Sequence, residues 1–173
     1  MPNTFELIAS STVGAGGAAS IDFTSIPSTY TDLCLKISVR NTGTGNVVDG
    51  YLRFNGSSSS YGTTRAIQGD GAGASSINNT TSTYMSWQVE MSGTTATANT
   101  FGNIDLYIPN YAGNTNKSVS GDQVTENNGT TAYAFLTAGI WNNTSAINQI
   151  TLYPVSNNFA QYSTAYLYGV KNA

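Results

Sequence analysis

Nine carboxylates are the chain's main supply of groups able to do acid–base chemistry, because its 173 residues include no histidine and a single cysteine. Without histidine there is no Ser-His-Asp or Cys-His nucleophile system and no imidazole to hold a metal. Cys34 has no base to activate it and falls in an alternating stretch, so it reads as a buried structural thiol. Glycoside hydrolysis needs two carboxylates facing one cleft. Glu90, Asp105 and Asp122 fall on parities opposite the apolar side chains of their stretches, so a concave outer sheet could gather two of them. Nothing in their spacing singles out a pair. A calcium loop needs several oxygen ligands close in sequence, and GDG at 69–71 supplies one carboxylate, Asp70. The expectation is therefore a non-enzymatic chain with no catalytic residue, no metal ligand and no cofactor.

Binding is chemically more open. In LYIPNYAGNTNK (106–117), Tyr111 stands beside Asn110, Asn114 and Asn116, the ingredients of a sugar site and equally of a polar crossing between strands. Leu-Tyr recurs at three strand ends, Leu106-Tyr107, Leu152-Tyr153 and Leu167-Tyr168. If each leucine faces the core, Tyr107, Tyr153 and Tyr168 face outward, where tyrosine offers apolar area together with a hydroxyl. These three and Tyr111 are the candidate protein-interface residues. The glycine-rich stretches at 13–17 and 69–73 open no helix after a strand, so they read as turns and not as phosphate cradles.

The elements that must position these groups are strands. Asp32 to Arg40 sets Leu33, Leu35, Ile37 and Val39 on one face and Asp32, Lys36, Ser38 and Arg40 on the other, the signature of a half-buried antiparallel strand. Ser20–Thr24, Tyr84–Met91 and Phe101–Ile108 alternate likewise, with Ser86, Gln88 and Glu90 expected outward. Further candidates are 5–11, 50–55, 118–125, 133–141, 148–153 and 163–170. Turn-rich separators at 14–17, 41–46, 55–62, 69–76 and 126–129 divide them. No window carries a capped 3.6-residue period. The spacing predicts one all-β domain over 1–173, a sandwich or barrel, with a long loop excursion at about 57–83 and one short strand near Arg65–Ile67.

Composition narrows the partners. Charged residues are 9% of the chain, against roughly 25% in ordinary soluble proteins. A 39% apolar fraction in regular runs still argues for a packed core and against disorder. The six basic residues are scattered singly and the net charge is −3, which argues against nucleic acid. No apolar run approaches the roughly 20 residues that span a membrane, and no secretory signal is visible at the N-terminus. Asn-x-Ser/Thr triplets, as at Asn55, Asn79 and Asn143, follow from composition.

Four segments carry a resemblance. They are FELIASSTVGAGGAASIDFTSIPSTYTDLCLKISVR near the start, TANTFGNIDLYIPNYAGNTNK (97–117), AGIWNNTSAINQITLYP (138–154) and AYLYGVKNA (165–173). Their order resembles a group of tailed-phage virion structural proteins found in cyanophages and other aquatic phages, with 57–83 as the departure. The resemblance implies an antiparallel β-sandwich of jelly-roll type. It also implies a place on the virion, favouring the capsid surface, for a protein made in the host cytoplasm. The expected role is a capsid decoration (cement) protein that self-associates, most readily as a trimer, and clamps the phage major capsid protein. The alternative is a receptor- or glycan-binding domain of a tail fibre, spike or head fibre, with a host surface glycan as partner.

Overall fold

Alternation of apolar and polar side chains becomes fourteen strands and no helix in the computed structural model, which describes residues 4–69, 73–81, 83–126 and 132–171. Asp70 and residues 127–129 of the ENNG turn lie outside that set. Eight strands form one antiparallel sheet. Across it run β1 (Phe5–Thr12), β14 (Thr164–Val170), β3 (Asp32–Val39), β10 (Gly102–Ile108), β11 (Lys117–Glu126), β12 (Ala132–Trp141), β6 (Thr64–Gly69) and β7 (Ala74–Asn79). Four more form a second sheet in the order β2 (Ile21–Phe23), β13 (Ile150–Pro154), β5 (Gly50–Phe54) and β8 (Met85–Ser86). A short ribbon joins β4 (Val47–Val48) to β9 (Met91–Ser92). The molecule is an all-β antiparallel sandwich, as the period-2 patterning predicts.

The chain is wound as nested pairs. β1 pairs β14, β2 pairs β13, β3 pairs β10 and β5 pairs β8, each pair enclosing the next along the sequence. β11, β12, β6 and β7 then extend the large sheet beyond β10, so it overhangs the small one. Between the sheets lies one apolar cluster. Leu33, Leu35, Ile37, Ile104, Leu106, Ile108 and Leu167 from the large sheet meet Ile21, Phe23, Leu52, Phe54, Ile150 and Leu152 from the small one. Each is essentially closed to water, worth about 1.5–3 kcal/mol per side chain against leaving it exposed.

Two segments depart from the sequence expectation. Residues 84–91 do not form one strand. Trp87 takes a left-handed backbone (φ 52°), which costs a bulky residue about 1–3 kcal/mol, and it breaks the run into β8 and β9. The segment crosses beneath the overhang with both sides covered, so Ser86, Gln88 and Glu90 are all buried rather than outward. Gly102 of β10 permits the crossing: a Cβ there would strike the carbonyl oxygen of Glu90 and stand 2.9 Å from the Met91 Cα. Within 57–83, β6 and β7 form a hairpin of six residues each, more order than one short strand at Arg65–Ile67. β7 (ASSINN) has poor intrinsic strand preference and forms because β6 supplies a complete pairing partner.

Candidate functional site

The outer face of the large sheet is assembled from alternate residues of its eight strands. The register sets Leu7, Tyr168, Cys34, Tyr107, Ser120, Ala138, Arg65 and Asn78 in one cross-strand row. Tyr168 and Tyr107 therefore flank the same residue, Cys34. Nine large apolar side chains are exposed among the described residues, and seven of them sit on this face, 37–59% accessible. Phe5, Leu7 and Tyr166 make a patch on β1 and β14. Val124, Leu136 and Ile67 make a second on β11, β12 and β6. Tyr107 stands between them. Isolated apolar surface residues need no explanation; here six of them gather into two clusters on one sheet face.

A polar stripe separates the patches. Lys36 Nζ lies 2.5 Å from Asp105 Oδ2, and that bond raises the lysine's pKa. Asp122 is the cross-strand neighbour of Asp105, so the sheet does gather two of the three carboxylates considered for catalysis. Lys36 offsets their mutual repulsion. Glu90, the third, is in the interior and cannot join them. Tyr107 is tethered to the buried carboxylate of Asp32: its hydroxyl donates to Oδ2 at 2.5 Å, which with partial burial pushes its pKa up to about 12. The other Asp32 oxygen accepts the Asn110 N–H at 2.8 Å, fixing the turn just after Pro109.

No protein family, curated protein or solved structure matches the chain.

The remaining sequence-stretch candidates divide. Tyr153 is on the outer face of the small sheet, the far side of the sandwich from Tyr107 and Tyr168. Its ring stacks on Tyr51 (centroids 5.0 Å), Tyr51 stacks on Tyr84 (4.2 Å), and the Arg53 guanidinium lies over Tyr51 and Tyr153. Tyr111 is not a surface residue. Asn110 adopts φ 49°, which turns the chain back, and the Tyr111 ring is fully enclosed in the core. Its hydroxyl donates to the Pro27 carbonyl and accepts the Tyr30 N–H at 3.4 Å. As the chain stands, Tyr111 can touch neither a glycan nor a protein neighbour. The rest of its loop is pinned by Lys117, whose buried Nζ donates to the carbonyls of Gly113 (2.7 Å), Thr115 and Thr144 (3.2 Å).

Sequence reasoning passed over Leu136, Ile67, Phe5 and Leu7. The one available signal was β12, where both parities are apolar: Phe135 and Trp141 face inward while Leu136 and Ile140 face out. A strand apolar on both sides has apolar surface to offer on each.

Proposed function

We propose that this chain is a structural protein of a tailed-phage virion. In this reading it is a non-enzymatic capsid decoration (cement) protein that self-associates through the outer face of its large sheet and stabilises the major capsid shell. The observation that carries the reading is the pair of exposed apolar patches on that face. Eight strands at ~4.8 Å spacing and about six residues at ~3.3 Å rise give a footprint of roughly 760 Å². That is close to the ~800 Å² each partner contributes to a standard interface. The patches differ in composition and sit on opposite sides of the Lys36–Asp105 stripe, which suits a heterologous ring such as a trimer, patch against unlike patch. Ring closure divides the footprint between two contacts, each weak alone and stable when both are made. The stacked Tyr51, Tyr84 and Tyr153 on the opposite sheet would then be left to face the shell.

The jelly-roll form of the sandwich belongs with this proposal. Taken without the β4–β9 ribbon and the β6–β7 and β11–β12 extensions, the chain has eight strands. Their sheet orders, β1-β14-β3-β10 and β2-β13-β5-β8, and their nested pairs support that form, since a long hairpin rolled into two Greek keys would give such an arrangement.

Sedimentation velocity tests the self-association. The wild-type chain is expected as a trimer with little dimer, and Leu136→Asp or Leu7→Asp as folded monomers. A monomeric wild type at tens of micromolar, or an oligomer indifferent to both substitutions, overturns the interface. Virion copy number tests the location: hundreds of copies support decoration, whereas about a dozen would move the protein to a fibre or tail.

A further inference from the structure

A second feature arises from the mismatch between the sheets. The four-stranded sheet ends at β8, which packs on β12, so towards β6 and β7 the inner face of the eight-stranded sheet overhangs it, with Val47, Asp49 and Trp87 lying opposite. Beneath this overhang lies a cavity of about 640 Å³, within the 300–1,000 Å³ usual for small-molecule sites. Its walls include the rings of Trp87, Tyr133 and Phe135, and among them the polar groups of Asp49, Gln68 and Ser75.

The lining restricts the ligand. Among the described residues no basic side chain lines the cavity, and Asp49 brings a carboxylate, so an anionic ligand is disfavoured. Five of the six basic residues are engaged elsewhere: Lys36 on Asp105, Arg40 on the carbonyls of Ala96, Thr97 and Thr100, Arg53 over the tyrosine stack, Lys117 in its loop and Lys171 on Glu6. The sixth, Arg65, is on the outer face. A wholly apolar ligand would strand the carboxylate, amide and hydroxyl without partners. What fits is a molecule with apolar faces for the rings and hydroxyls for the polar groups. We propose that the cavity beneath the overhang binds a short neutral oligosaccharide, stacked on Trp87 and Tyr133 and held through its hydroxyls by Asp49, Gln68 and Ser75.

Two independent observations support the assignment. Trp87 keeps a backbone conformation that only a local requirement sustains, and that conformation sets its indole in the cavity wall. Behind Asp49 lies Glu90. The ribbon pairs Val47 with Ser92 and Val48 with Met91, which brings the next residues, Asp49 and Glu90, within interaction distance. Glu90 is closed to water, and neither of its carboxyl oxygens meets a donor. Two ionised carboxyls have nothing to offer each other. With a proton on Glu90, its O–H donates to Asp49 and leaves Asp49 an oriented anionic acceptor. Glu90 is in that sense a positioning residue. The proposal stands apart from the assembly reading, since the cavity and the outer sheet face share no wall.

Saturation-transfer NMR and tryptophan fluorescence on the full chain test it, with maltotriose, cellotriose and triacetylchitotriose as probes. Trp141 is buried, so a fluorescence change reports mainly on Trp87. At least one trisaccharide should bind saturably below about 10 mM, ten times a Kd of ~1 mM. Affinity should fall ten-fold or more in Trp87→Ala and in Asp49→Ala; Asp49 is exposed, so the second variant should keep the wild-type circular dichroism. Tyr162→Ala, in an exposed turn outside both the cavity and the outer-face patches, should bind as wild type. Absence of saturable binding by all three sugars overturns the proposal. So does unchanged affinity in folded Asp49→Ala, or saturable binding of tetramethylammonium in place of the sugars, which would make the rings and Asp49 a cation site.

Discussion

Replacing Glu90 by Gln should make the protein more stable at alkaline pH, the reverse of what removing a charged residue from its partner usually does. Burial first, then the charge of Asp49 and the bond to it, push the Glu90 pKa from an ordinary 4.5 up to about 10. Below pH 4.5 the carboxyl is protonated in both folded and unfolded chains and adds no pH dependence. Between 4.5 and 10 the unfolded chain is ionised and the folded one is not, so folding takes up one proton. Stability then falls with rising pH by about 1.4 kcal/mol per unit. From pH 5 to pH 8 the loss is three such units, about 4 kcal/mol. Gln has nearly the shape of the neutral acid, can donate to Asp49 as the protonated acid does, and binds no proton, so this slope disappears. The wild type and Glu90→Gln should differ in stability by about 4 kcal/mol more at pH 8 than at pH 5, in favour of the variant. For a chain of this length that is a gap of about 10 °C in Tm. Urea denaturation of both proteins at several pH values, at one fixed protein concentration, reads the difference directly and cancels the titration of every other group. A difference that stays constant between pH 5 and pH 8 would refute the reasoning, because it would mean that Glu90 is ionised in the fold.

Two further outcomes follow from buried polar anchors. Tyr111→Ala should cost about 3–5 kcal/mol by emptying a large core site, while Tyr111→Phe, which loses only the bonds to Pro27 and Tyr30, should cost about 1 kcal/mol; equal costs in chemical denaturation would place the ring outside the core. Lys117→Met keeps the aliphatic stem but leaves three carbonyls without their charged donor, and should cost about 3 kcal/mol or more, with amide exchange rising across residues 110–116; unchanged exchange there would show that the loop holds itself.

The sandwich was legible where one face of a strand is dry and the other wet. Leu33, Leu35, Ile37 and Val39 in β3, and Ile104, Leu106 and Ile108 in β10, announce their faces by alternation alone. Residues 84–91 alternate just as well, yet alternation cannot tell a wet second face from an enclosed one. Glu90 was misplaced for that reason: a carboxyl looks outward in sequence unless something nearby can keep it neutral. Burial beneath the large sheet does so first, and Asp49, 41 positions away, adds to it once β4 and β9 pair. Tyr111 failed on a smaller scale. Parity stops being informative at Pro109, and the left-handed Asn110 decides which way the ring turns. The outer-face patches and the cavity depend on strand order and on unequal sheet widths, and neither is a local property of the chain.

The nested pairing has a consequence for time. Leu52 meets Met85 across 33 positions, while Phe5 meets Val170 across 165. Closed from the unfolded chain, the outer loop is about five times longer, roughly 2.3 doublings and ~1.4 kcal/mol less favourable. Closed in sequence from the inside, each pair brings the next within reach, and no step has to span the whole chain at once. The winding therefore favours folding that runs outward from β5 and β8, like a zip with its slider at the bend. On a ribosome, β1 emerges before the other thirteen described strands, yet its only neighbour in the sheet is β14. The ladder N–H and C=O groups of β1 therefore have no strand partner until synthesis has almost reached Lys171.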